Sequence, residues 1–321
     1  MNERKLRRKQ IRKDVSSYGW ALLIYYGLMT VCVVLGVYAL TLAKTMTMAL
    51  EGNVLDLESL DMGSAMNDAS GYLAACILAV VLIWAWKGKV FFRSLWKSGE
   101  TMTPAAFFQL VCVFISGQLA FQICATIQEA VLNQFGLSIL EAMERATAGT
   151  GDSLTMFLYM SLGAPRVEEI IFRGAVLRGL EKHGQRFAIL VSALLFGLFH
   201  GNIIQSPYAF VVGLVLGYVT VKYNIVWAMV LHMINNMLLG NTLGRLTQGL
   251  GEIGSGLVLQ AVILICTGVA IFALIRNRRE VLAYHRADKP DWDAIHAFAT
   301  APGVLVLIAL MEFSAFSMLF L

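Results

Sequence analysis

Three groups of polar residues interrupt an otherwise apolar chain, and their side-chain types are those that acid–base chemistry uses. The first reads Arg-Val-Glu-Glu-Ile-Ile-Phe-Arg-Gly and supplies Glu168, Glu169 and Arg173. Glu169 and Arg173 stand at four-residue spacing, so on a helix they share a face. Glu168 points about 100° away, one residue's rotation on a helical turn. Arg173 can therefore neutralise one carboxylate while the other faces elsewhere. The second group is His200, in Phe-Gly-Leu-Phe-His-Gly-Asn, with Phe196 on the same helical face. The third is His232 with Asn235 and Asn236, where His232 and Asn236 share a face. Each group also has a structural reading: a salt bridge at a helix boundary, a hydrogen-bonded histidine, and interhelical contacts worth about 1 kcal/mol or less each.

Taken together, two carboxylates, two imidazoles and an amide suit one kind of reaction. A carboxylate desolvated among apolar helices fits general base and acid work. Imidazole orients water, and imidazole with an amide stabilises an oxyanion. The set holds no lysine for a Schiff base and no serine or cysteine placed beside a histidine by spacing. Hydrolysis of an amide bond by activated water fits best.

The elements that must position these groups are membrane helices. Of the 321 residues 58% are hydrophobic and 14% charged, against about 25% charged in soluble domains. That balance excludes a soluble enzyme, a disordered chain and a secreted disulfide scaffold. Apolar runs of helical length recur about nine times, from one centred near Val31 to one near Ile308. They are too long and too uniformly apolar for barrel strands. The fold class predicted is all-α: a polytopic transmembrane helix bundle of eight to nine spans. The run from about Trp20 to Ala43 exceeds a cleaved signal core and reads as a retained anchor. The last run contains Glu312 and is the weakest candidate span.

Charge sets the expected orientation. Arg4, Lys5, Arg7, Arg8, Lys9, Arg12 and Lys13 precede the first apolar run. They read as a cytoplasmic flank rather than as a nucleic-acid arm. Connections then alternate between acidic or neutral and basic, which puts the N-terminus in the cytoplasm. In that topology Glu168, His200 and His232 reach overlapping depths, roughly 12–20 Å from the cytoplasmic ends of their helices at 1.5 Å per residue. Matching depths favour one polar site between helices. Pro165 cannot donate to the carbonyl of Ser161, so a kink is expected there. Five cysteines lie within apolar runs without ligand spacing and read as packed thiols. Gly249, Gly251 and Gly254 match a dinucleotide-binding pattern but fall in an expected outer loop before a membrane helix, not in a βαβ unit. Gly213 and Gly217 form a small-xxx-small pair suited to close helix packing.

The ordered motifs E-E-x-x-x-R (Glu168, Glu169, Arg173), F-x-x-x-H (Phe196, His200) and H-x-x-x-N (His232, Asn236) resemble the CPBP family. That family comprises type II CAAX prenyl endopeptidases and bacteriocin-processing or immunity-type membrane proteins. The resemblance covers roughly residues 150–245. It divides the chain into a basic tail with three variable helices (1–150), a core (151–245) and C-terminal helices (246–321). It implies an intramembrane endopeptidase opening towards the cytoplasm. Glu168 would activate water with help from His200, and His232 and Asn236 would stabilise the oxyanion. Glu169 and Arg173 would position the helix and the first carboxylate. Glu168, His200 and His232 could instead supply three zinc ligands, but H-E-x-x-H is absent, so a cofactor-free mechanism is favoured. The expected partners are membrane lipid and a membrane-associated peptide or protein substrate, with no nucleic acid, in a multi-pass protein of the cell membrane. Two other functions fit the fold: a non-catalytic scaffold or immunity factor, and a proton-coupled transporter, although no internal repeat supports the latter.

Overall fold

The computed structural model describes residues 3–51, 68–97, 99–141, 153–238, 246–287 and 291–320. Every regular element among them is helical. In chain order these are α1 (Glu3–Leu50), α2 (Ser70–Leu95) and α3 (Pro104–Leu132), then a continuous helical stretch over 154–183, called α4. There follow α5 (Gln185–Phe199), α6 (Gln205–Lys222), α7 (Ile225–Met237), α8 (Gly251–Arg276), α9 (Arg278–Ala287), α10 (Trp292–Ala299) and α11 (Pro302–Ser317).

The starts of these helices are written locally. Thr103 accepts from the amide of Ala106 and is followed by Pro104, whose missing N–H costs nothing at the first helical position. Ser153 accepts from Met156 and Asn224 from Trp227, each satisfying an amide with no partner inside the helix.

Four helices are long and apolar enough to cross a bilayer: α1, α2, α8, and α3 with its short continuation to Phe135. The pair α10–α11, bent by 59°, makes a fifth if it counts as one span. That makes four or five among the described residues, and the eight to nine spans expected from the apolar runs are not confirmed. In the centre α5 and α7 are only 15 and 13 residues long. Their walls are other protein segments, so burial is supplied by neighbours rather than by helix length. Gly249, Gly251 and Gly254, set aside as a chance dinucleotide-type pattern, lie in a 3₁₀ turn and the first turn of α8, and the described residues contain no strand.

The basic segment at the N-terminus is helical and docked, not a loose tail. It is the first part of α1, which at 48 residues measures about 72 Å, more than twice the roughly 30 Å hydrocarbon core. Ile11, Val15 and Tyr18 turn one buried face towards the bundle. Arg4 and Arg8 pair with Asp293 at 2.6 and 3.2 Å, and Arg7 pairs with Asp291. Further along, α1 crosses α11 at two glycines, where the Gly303 amide donates to Ser16 Oγ at 2.9 Å. A Cβ on Gly19 would lie 2.4 Å from the Gly303 carbonyl carbon, so only glycine permits this approach.

Basic residues from distant parts of the chain gather at this same end. Lys182 Nζ lies 2.7 Å from Asp14 and Lys87 Nζ 3.1 Å from the Tyr18 hydroxyl. Arg178 donates to the Thr220 carbonyl at 2.9 Å, near the end of α6 where Lys222 stands.

Candidate active site

The first motif sits on α4, whose hydrogen-bond register is irregular on both sides of it. A π-helical turn over Tyr159–Gly163 precedes Ala164–Glu169, and a second π-helical run covers Ile170–Leu177. The first of these accommodates Pro165: the Ala164 amide reaches back to the Tyr159 carbonyl, and the helix continues through the proline. The second leaves its own demands, and neighbouring helices meet them. Ser192 of α5 donates to the Phe172 carbonyl at 2.8 Å.

Wide turns place adjacent glutamates in different surroundings. Glu169 is 0% exposed and lies 3.0 Å from Arg173 Nη1, which is also 0% exposed. Arg173 Nη2 donates to the Gly213 carbonyl of α6 at 3.2 Å, and the guanidinium lies 4.4 Å from the centre of the Phe196 ring. Glu168 retains 23% side-chain exposure. His232 of α7 links the two carboxylates: its Nδ1 is 2.9 Å from Glu169 Oε1 and its Nε2 3.7 Å from Glu168 Oε2.

Phe196 is the wedge that relates the two histidines. Its ring meets His200 edge-on at 4.9 Å and His232 at 5.6 Å between centroids. The spacing F-x-x-x-H thus acquires a steric meaning, since one ring contacts both imidazoles and Arg173. His200 Nδ1 lies 2.8 Å from the Phe196 carbonyl. A carbonyl only accepts, so Nδ1 carries the proton and Nε2 of the neutral ring keeps its lone pair. Glu168 stands within electrostatic reach of His200, and of Tyr25 and Tyr159.

Asn236 is held by a polar chain. Its Nδ2 donates to the Met160 carbonyl at 3.0 Å, and its Oδ1 accepts from Asn235 Nδ2 at 3.2 Å. Asn235 Oδ1 in turn accepts from the Tyr208 hydroxyl at 2.9 Å. Tyr208 and the Met160 carbonyl were not among the residues marked by sequence. No spacing rule links Tyr208 to Asn235, because they lie on different helices.

Residues 150–238 match the family described as type II CAAX prenyl endopeptidase Rce1-like. This is a protease family. The matched segment holds Glu168, Glu169, Arg173, His200, His232 and Asn236, and it agrees with the CPBP resemblance of the motifs. No curated protein and no solved structure matches the chain. Over these residues the chain is similar to a protease family, and the apolar helices around the matched segment are those of a membrane protein.

A zinc ion fits this arrangement poorly. Among the described residues no three His, Cys, Asp or Glu side chains are grouped as ligands. His232 turns its Nε2 towards Glu168 at 3.7 Å with Nδ1 held by Glu169, and no third His, Cys, Asp or Glu joins them as a ligand set among the described residues.

Proposed function

We propose that this protein is an intramembrane endopeptidase that hydrolyses a peptide bond of a membrane-associated or lipidated peptide or protein with water activated by Glu168. The observation that carries this reading is the unequal treatment of the two adjacent glutamates. Glu169 is buried and neutralised by Arg173, whereas Glu168 is partly exposed, 3.7 Å from His232 Nε2 and within electrostatic reach of His200.

In this mechanism Glu168 takes a proton from water as the oxygen attacks the carbonyl carbon. His200 Nε2 accepts a hydrogen bond from the same water and orients it. The tetrahedral oxyanion is met by the Asn236 amide, which has a second N–H beyond the one given to Met160. His232 Nε2 donates to it only when the ring is doubly protonated, because Nδ1 is engaged with Glu169. An imidazolium there, with Arg173, balances the two carboxylates and leaves the cluster neutral. Glu168 then returns its proton to the leaving amine as the C–N bond breaks.

Under the positive-inside rule the basic end of the bundle lies in the cytoplasm. A scaffold or immunity role would need none of this asymmetry between neighbouring carboxylates.

The test is cleavage by purified protein in liposomes of a panel of farnesylated and unmodified membrane-anchored peptides, read by mass spectrometry in ¹⁸O-water. The expected result is a new carboxyl terminus carrying ¹⁸O, lost in Glu168→Gln. Undiminished cleavage by a folded Glu168→Gln protein, or no cleavage across the panel, overturns the proposal.

A further inference from the structure

A groove of about 1040 Å³ opens at the basic end of the bundle between α3, α6, α8 and α9. None of the carboxylate–histidine residues lines it. Its charged lining gathers at helix ends and their connections: Glu100 before α3, Lys222 closing α6, Arg276 closing α8, and Glu280 in α9, with Gln109 and Tyr218 the uncharged polar groups further along the helices. The apolar groups lie deeper, with Leu110 and Val113 on α3 and Ala270 and Leu274 on α8. At 1.5 Å per residue, Ala270 stands about 9 Å below Arg276 and Val113 about 15 Å below Thr103.

That gradient selects the class of occupant. A small polar solute would leave the apolar depth unfilled, and a plain hydrocarbon would leave the charged mouth unmatched. An amphiphile lying along the helices satisfies both. The mouth is also built rather than incidental. The Glu100 amide donates to the Lys222 carbonyl at 2.8 Å, which holds the two residues together. Their charged heads are 3.9 Å apart, beyond hydrogen-bond length, so both keep bonding capacity. Two cations and two carboxylates at the mouth give no net charge to attract an anion. They do match a phosphate lying beside an ammonium group.

We propose that this groove binds a glycerophospholipid whose headgroup carries both a phosphate and a primary amine, as phosphatidylethanolamine does. Lys222 and Arg276 take the phosphate, Glu100 and Glu280 take the amine, and an acyl chain runs along Leu110, Val113, Ala270 and Leu274. The site is independent of the peptidase reading, and binding is measurable without a substrate.

Purified protein is mixed with equal amounts of phosphatidylethanolamine, phosphatidylcholine and phosphatidylglycerol, and retained lipid is counted by native mass spectrometry. One phosphatidylethanolamine per chain is expected, favoured about tenfold over the other two, the scale of one charge-assisted hydrogen bond. Lys222→Ala with Arg276→Ala should lose that lipid. Glu100→Gln with Glu280→Gln should keep phospholipid binding and lose the preference for the amine. Equal retention of all three lipids by the wild-type protein overturns the proposal, as does unchanged preference in both double variants. The wild-type comparison stands alone if a variant fails to fold.

Discussion

His232 and Glu169 are joined by a 2.9 Å contact between Nδ1 and Oε1, buried on both sides, and this contact ties α7 to α4 at the centre of the protein. The neighbouring Glu168, 3.7 Å from the other ring nitrogen, is not part of that tie. The two glutamates should therefore fail differently when neutralised.

Glu169→Gln removes the buried counter-charge of Arg173. Leaving a buried charge uncompensated costs about 3–5 kcal/mol, so thermal unfolding in detergent should occur at a markedly lower temperature. Glu168→Gln, at a partly exposed side chain, should unfold within about 1 kcal/mol of wild type. Equal destabilisation by the two changes would contradict the division of roles.

His200→Ala should reduce peptide cleavage by about 10²–10⁴-fold, the range for a positioned acid–base group. Folding should survive, because the Nδ1 hydrogen bond of the ring goes to a carbonyl of its own helix. Circular dichroism and size-exclusion profiles of the variant check this alongside its rate.

Tyr208→Phe removes the donor to Asn235 and leaves a nearly buried amide oxygen without its partner. An unsatisfied buried acceptor costs about 1–3 kcal/mol. If that strain reaches Asn236, kcat should fall with little change in KM, since Tyr208 does not touch the reacting centre. A change confined to KM would place Tyr208 in substrate binding instead.

Gly213→Val should disrupt both packing and the site. A Cβ at this position would lie 2.9 Å from Ala193 Cα on α5, and the same residue's carbonyl accepts from Arg173. Overpacking of this kind costs about 1–3 kcal/mol. Loss of activity larger than that of Gly217→Val, the next packing glycine on α6, whose Cβ would meet Ile189 and Leu177 instead, would report the damage to the arginine's anchor.

Chelation supplies a separate check. With no grouping of three His, Cys, Asp or Glu ligands among the described residues, dialysis against EDTA should leave cleavage unchanged. Activity lost on chelation and restored by zinc would require a rearranged site.

Composition and motif spacing determined a good deal of this protein. The apolar excess dictated helices in a bilayer, because backbone groups in lipid must pair within their own segment. Four-residue spacing placed Glu169 with Arg173, an i,i+4 relation that any helix enforces and that the 3.0 Å ion pair shows. Gly213 and Gly217 were legible as a close-packing face for the same reason, and α5 packs there. Helix length was not legible: apolar runs do not say whether lipid or protein surrounds them, and the short central helices α5 and α7 are enclosed by neighbours. Nor could spacing reveal that the basic N-terminal segment docks on Asp291 and Asp293. Which glutamate is sealed and which stays open was likewise decided by tertiary structure. Adjacent residues point about 100° apart on any helix, but only the packing of α7 and α6 against the π-helical turns of α4 put His232 and Arg173 around Glu169 and left Glu168 accessible.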